Sequence, residues 1–342
     1  MRAPSIFLPI LLLALSLLVA CQPTLDPTVR LTGSTMGTRY EIKLVPAPGQ
    51  AVPDDLRNRV EAMLADINRR MSTYDPDSEL SRFNQNPSTD WIGVSPELQQ
   101  VVAEGLRISD LSNGAFDITV GPLVNLWGFG PEPRHDQVPT EAAIAHARER
   151  VGYWRLQTRE QPPALKKERA DLYVDLSALA KGYGVDRLVA LVESTGMTNY
   201  LVAIGGEIRA RGRNGQGQPW TIAIEKPVPG QRAVERLVRF GDRSISTSGD
   251  YRNFFEQDGQ RYSHIINPQT GRPVPQTLAS VTVVSDRSMV ADATATALMA
   301  AGPDLGWQLA SEHHLAAFFL LVEPDGFQER YTPEFEPYLV PE

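Results

Sequence analysis

The stretch "NYLVAIGGEIRARG", residues 199–212, decides the fold class. An apolar strand runs into Gly205-Gly206 and a second strand leaves them, so strand follows strand about a glycine kink. A helix precedes it: from Ala178 to Ser194, Leu179, Tyr183, Leu188 and Leu191 recur at helical spacing, and Gly196 stops the run. The direct strand-to-strand step recurs. "RNFFEQDGQRYSHII" (252–266) reads as a hairpin turning at Asp258-Gly259, and "LAAFFLLVEPDGFQERY" (315–331) as another. Strands and helices mix without a regular βαβ alternation, which predicts an α+β fold of mixed sheets with packed helices.

Working outward, "VRLTGSTMGTRYEIKL" (29–44) reads as a strand, a glycine-flanked turn and a second strand in which Tyr40, Ile42 and Leu44 alternate. Leu56, Val60, Met63, Leu64, Ile67 and Met71 then form one apolar helical stripe. Ser95-Pro96-Glu97 starts another helix, with Ser as N-cap and Pro at the first position, fading before Asn113-Gly114. "GAFDITVGPLVNLWGFG" (114–130) reads as a loop with a strand-like middle, Thr140 caps a short helix to about Arg150, and "DLYVDLS" (171–177) is strand-like. "MVADATATALMAAG" (289–302) predicts a short buried helix, with Gly302 as its C-terminal cap and Pro303 beyond.

The N-terminal text "MRAPSIFLPILLLALSLLVAC" carries one Arg, an apolar run and small residues before a cysteine, the pattern of a secretory signal. Leu18-Val19-Ala20-Cys21 resembles a bacterial lipobox, which makes Cys21 the lipidated first residue of the mature chain. Cys21 is the sole cysteine of 342 residues, so an internal disulfide and a Cys-based metal site are excluded. Residues 1–20 are thus expected to be signal peptide, 21–30 a polar tether and 31–342 one domain. The formal net charge is −8, with no basic run, which argues against nucleic acid as a partner.

The chemistry begins with Asp292. It lies near the N-terminal end of its helix, and Thr296 falls one turn on, so two hard oxygens share a face. Either Asp292 is a capping acid, or the pair is half of a Mg²⁺ site, since Mg²⁺ takes one or two carboxylates beside water and phosphate. "VDLSALAKGYGVDRL" (174–188) puts Asp175 at a strand end and Lys181 in the first turn of the next helix, the makings of a phosphate site. His264, the Gly205-Gly206 kink, Tyr74 in "MSTYDPDSELSRFN" and Met36 in "GSTMGT" are further candidate contacts.

Taken in order, "GSTMGTRYEIKL", "MSTYDPDSELSRFN", "GAFDITVGPLVNLWGFG", "VDLSALAKGYGVDRL", "LVAIGGEIRARG", "STSGDY", "HIINPQTGRPV" and "VADATATALMAAG" resemble the ApbE family of FAD:protein FMN transferases, bacterial flavin-handling lipoproteins. The resemblance implies an ApbE-like, T-fold-related flavin transferase fold, FAD as substrate and Mg²⁺ as metal. By motif position it implies that Met36, Tyr74, Ala115, Phe116, Asp117, Asp175, Lys181 and Ile266 contact FAD. Ala178, through its carbonyl, Asp292 and Thr296 would hold the metal.

It further implies transfer of FMN to a threonine hydroxyl of an acceptor flavoprotein at or outside the membrane, with release of AMP. The enzyme itself would be lipid-anchored in the cell envelope, facing the periplasm. His264 and Asp250 are both candidates for the general base. Two departures stand out. Some relatives carry a second Asp where this chain has Ala295, one carboxylate fewer for the metal, and Glu207 replaces the Asp of a frequent Gly-Gly-Asp. The rival readings are a Mg²⁺-dependent FAD pyrophosphatase, with water as acceptor, and an FAD-binding lipoprotein without catalysis.

Overall fold

The computed structural model describes residues 26–341 apart from 133–135, 228–232 and 251–252. The signal segment, Cys21 and the tether up to residue 25 lie outside the described residues. Eight strands build one sheet: β1 (Val29–Thr35), β2 (Thr38–Leu44), β3 (Tyr200–Ile204), β4 (Glu207–Arg211), β5 (Ser244–Gly249), β6 (Leu278–Ser285), β7 (Ala316–Glu323) and β8 (Gly326–Tyr331). Their order across the sheet is their order in the chain, and each neighbour pair is antiparallel. The α+β class therefore holds, with an antiparallel meander at its centre. Because β1 begins at Val29, the last two residues assigned to the tether already belong to the sheet.

The connection from β2 to β3 carries α1 (Leu56–Met71), α2 (Glu79–Gln85), α3 (Pro96–Leu111), α4 (Gly121–Leu126), α5 (Glu141–Arg148) and α6 (Ala180–Glu193). Helix α7 (Ser288–Glu312) joins β6 to β7. The predicted caps are in place: Ser95 accepts the Leu98 N–H at 3.2 Å, and Thr140 that of Ala143 at 3.3 Å. The stripe of α1 is buried at Leu56, Val60, Leu64, Ile67 and Met71, as its spacing requires.

Strand alternation covers both faces of the sheet. Val202 and Ile204 pack with α1 and α6, while Leu201 joins Trp220, Phe240 and Phe335 on the other side. Likewise Phe319 packs against α7, and Phe318 faces Phe335. Each such side chain contributes ~1.5–3 kcal/mol by leaving water. The first segment of α7, up to Gly302, is buried nearly all round, at Ala291, Ala293, Ala295, Ala297 and Ala300, and its small residues let it lie close to the sheet and to α6.

Three local expectations change. "DLYVDLS" joins no ladder, because the Asn84 side chain takes the place of a partner strand: its Oδ1 accepts the Val174 N–H at 2.8 Å and its Nδ2 donates to the Val174 carbonyl at 2.9 Å. The middle of 114–130 forms turns and α4 instead of a strand. There Asp117 accepts the Thr119 N–H at 2.7 Å and the Tyr153 N–H at 2.9 Å, which removes those amides from any ladder. Gly302 ends the first segment of α7 at φ +82°, but Pro303 at once starts a second, so the helix kinks there and continues.

Candidate active site

The site is organised by the crossing of α6 and α7. A Cβ on Gly182 would sit 2.5 Å from the Ser288 carbonyl oxygen and 2.6 Å from Met289 Cα, so only glycine permits this approach. At the crossing each helix holds the other's N-terminal amides. Asp186 of α6 accepts the N–H groups of Ser288 (2.7 Å) and Met289 (3.1 Å), and Asp292 of α7 accepts that of Gly182 (3.0 Å). Such amides lack intrahelical acceptors and carry the positive end of the helix dipole, so a carboxylate suits each.

Asp292 is thus a cap, but of the neighbouring helix. The Ala180 and Tyr183 N–H groups bond four residues back, to Leu176 (2.9 Å) and Leu179 (2.8 Å). Gly182, still within the first turn, donates to Asp292, so the Ala178 carbonyl four residues before it does not receive that donor. Thr296, one turn along α7, pairs its hydroxyl with that of Ser248 on β5 at 3.0 Å. Among the described residues no three His, Cys, Asp or Glu side chains converge as a metal cluster. The hard-oxygen set at this corner is the Asp292 carboxylate, the Thr296 hydroxyl and the Ala178 carbonyl. One charge plus neutral oxygens, in a cleft able to admit phosphate, fits Mg²⁺.

Lys181 stands over this corner. Its ammonium is 3.6 Å from Asp292 Oδ2, 3.6 Å from Glu207 Oε1 and 3.4 Å from the Ser177 carbonyl. Burial works against its charge, but the two carboxylates outweigh that and hold its pKa above the usual lysine value. Burial pushes the Glu207 and Asp292 carboxyls upward, and the Lys181 ammonium between them pulls both back down. Glu207 is only 4% exposed, and its Oε2 has no hydrogen-bond partner among the described residues.

Ala295 does not line this corner. That residue is fully buried with Val281, Val283 and Leu298 in the core beneath α7, on the side away from the cleft. The second carboxylate beside Lys181 comes from a different element, as Glu207 at the head of β4.

All eleven residues expected to hold flavin or metal line one cleft of about 1240 Å³. It exceeds the ~300–1,000 Å³ of ordinary small-molecule sites and so has room for a dinucleotide. Met36 occupies the two-residue β1–β2 turn at φ +49°, a left-handed conformation unusual outside glycine, beside Gly37 at φ +70°. Tyr74 sits at the rim, 66% exposed, its hydroxyl 3.5 Å from the Phe129 carbonyl. Ala115, Phe116 and Asp117 line the wall from the 114–130 segment, and the buried Ile266 lines it from a short ribbon. The Asp117 carboxylate is committed to Thr119 and Tyr153, and burial raises its pKa. Asp175 accepts the Ser177 N–H (2.8 Å) and hydroxyl (2.6 Å) in the turn that leads into α6.

The two candidate bases separate. His264 lines the cleft, whereas Asp250 is buried outside its lining, and burial pushes Asp250 up to about 6. His264 Nδ1 lies 3.1 Å from the Asn253 carbonyl, which can only accept, so Nδ1 carries the proton and Nε2 the lone pair. Burial lowers the His264 pKa, so the ring is neutral near pH 7.

The sequence alone does not single out Asp186, Ser248 or Asn84, and it marks Glu207 only as a departure from a motif. Asp186 had a signal in its spacing, four residues after Gly182 on the same helix face. Ser248 and Asn84 had none, because each meets a partner remote in sequence.

The sequence pattern of the ApbE family matches residues 36–319. A FAD:protein FMN transferase of Vibrio cholerae serotype O1 is 47% identical over 328 residues, covering 96% of this chain and 97% of that one. One from Haemophilus influenzae is 42% identical, covering 95% and 94%. The solved structure of the flavin transferase ApbE from Vibrio cholerae superposes with a TM-score of 0.85 at 46% identity, covering 91% of this chain and 99% of that one.

Proposed function

This chain belongs to the ApbE family, and from that premise we propose that it moves the FMN half of FAD onto a threonine hydroxyl of an acceptor protein, releasing AMP. The observation that carries the reading is the α6–α7 corner inside a dinucleotide-sized cleft, where Asp292 accepts the Gly182 N–H through one oxygen and its second oxygen, the Ala178 carbonyl and the Thr296 hydroxyl are the oxygen donors beside Lys181.

In the reaction the acceptor oxygen bonds to the FMN phosphorus as the bond from that phosphorus to the bridging pyrophosphate oxygen breaks. The hydroxyl proton passes to His264 Nε2, and AMP leaves with the bridging oxygen and its negative charge. Lys181 and the N-terminus of α6 balance charge on the diphosphate. Asp292, Thr296 and the Ala178 carbonyl would hold Mg²⁺, which supplies Lewis-acid neutralisation of phosphate charge. Met36, Tyr74, Phe116 and Ile266 give the flavin and adenine apolar surfaces to rest on.

The N-terminal reading belongs to the same proposal. Lipidation of Cys21 would anchor the domain to a membrane of the bacterial envelope, facing the periplasm, where acceptor flavoproteins lie at or outside the bilayer. More than one acyl chain gives stable anchoring.

The test is to incubate the protein with FAD, Mg²⁺ and a candidate acceptor, and to measure AMP together with acceptor mass. Acceptor gaining one FMN per AMP released is the expected result. AMP accompanied only by free FMN makes the protein a pyrophosphatase, and FAD bound without AMP makes it a carrier.

A further inference from the structure

Glu207 is a carboxylate that neither the flavin contacts nor the metal set uses. It is 4% exposed, lines the cleft, and one of its oxygens, Oε2, is buried without a partner among the described residues. Its other oxygen shares the Lys181 ammonium with Asp292, at equal distances of 3.6 Å. The nearby backbone is shaped around the orphaned oxygen: Gly205 holds φ +63°, and a Cβ there would come within 3.3 Å of it.

We propose that Glu207 is a positioning residue for Lys181, giving the ammonium a second buried anion to hold when Asp292 is taken up by a metal ion. The inference rests on the reading of Asp292 as the metal's carboxylate. Without a metal, Lys181 neutralises part of the charge of two buried acids, either of which would be costly alone. A divalent cation on Asp292 repels the ammonium, which must then go to water, to an incoming phosphate or to another anion. Glu207 offers the last, since its free Oε2 lets Lys181 shift wholly onto that carboxylate while still reaching toward the diphosphate. Remove Glu207, and among the described residues Asp292 is the one carboxylate left beside the ammonium, which then competes directly with the metal.

The experiment measures binding of Mg²⁺ alone, without FAD, to the full chain by titration calorimetry, with melting temperatures as a check of folding. Glu207→Gln is expected to weaken Mg²⁺ about ten-fold or more, the usual cost of losing a group that supports a metal ligand. Lys181→Gln is expected to tighten it, and in the Lys181→Gln background the cost of Glu207→Gln should nearly disappear. Unchanged Mg²⁺ affinity in Glu207→Gln overturns the proposal. So does a penalty that persists in full without Lys181, because Glu207 would then be a metal ligand itself. Should Glu207→Gln fail to fold, Lys181→Gln decides alone, and weaker binding there sinks the idea. Asp292→Ala tests the underlying reading separately: if that variant binds Mg²⁺ normally, the metal site itself is misplaced.

Discussion

The inner corner of the cleft and its rim are built on opposite terms. At the corner Asp292 and Glu207 are 3% and 4% exposed and tied to one ammonium, and two helices cap each other across a glycine. At the rim Tyr74 is 66% exposed and reaches the 114–130 segment only through a 3.5 Å contact. Buried charge in a low-dielectric setting acts strongly and tolerates little movement. An exposed ring can hold a ligand, and its loss is felt as affinity. The corner should therefore govern rate and the rim binding.

The sharpest way to break this division is Asp292→Ala. It removes the charged oxygen of the metal set and the cap of α6 together, so AMP release should fall by on the order of 10³-fold and lose its Mg²⁺ dependence. A simple cap would instead cost about 1 kcal/mol of stability and leave the metal response intact. AMP release against Mg²⁺ concentration, beside the melting curve, separates the two.

Next in size is His264→Gln, expected to slow transfer by roughly 10²-fold at neutral pH. As a base His264 works only when neutral, and burial holds its pKa below the ordinary ~6.5. Its rate should hold as pH falls through that value and drop only further down, and the variant should lose this acid limb. If the limb survives in His264→Gln and vanishes in Asp250→Asn, the base is Asp250.

Gly182→Ala sharpens the comparison from the structural side. The added methyl meets Ser288 and Met289 backbone, which has little freedom to yield. A loss of about 1–3 kcal/mol in urea unfolding is expected, together with weakened Mg²⁺ response, as α6 and α7 move apart. Normal stability would mean that the crossing is looser than its contacts indicate. The smallest effect belongs to the rim: Tyr74→Ala should raise the apparent FAD constant several-fold at unchanged maximal rate, since an aromatic face adds about 1 kcal/mol. A collapse in maximal rate at saturating FAD would place Tyr74 in the chemistry.

What the sequence by itself determined was whatever depends on near neighbours in the chain. The stripe of α1, the Ser95-Pro96 start, the turn at Asp258-Gly259 and the shared face of Asp292 and Thr296 follow from periodicity, capping and turn stereochemistry, and all are present. The ordered motifs likewise named the residues that meet in the cleft. What only the tertiary structure decided were relations between groups far apart in sequence. Val174 lies outside any sheet because Asn84, 90 residues away, satisfies its backbone. Asp292 caps a helix 110 residues earlier, Ala295 faces the core, and Glu207 supplies the second acid. Local propensity is blind to such pairs, because a buried charge or amide takes whichever partner the folded chain brings within hydrogen-bond reach.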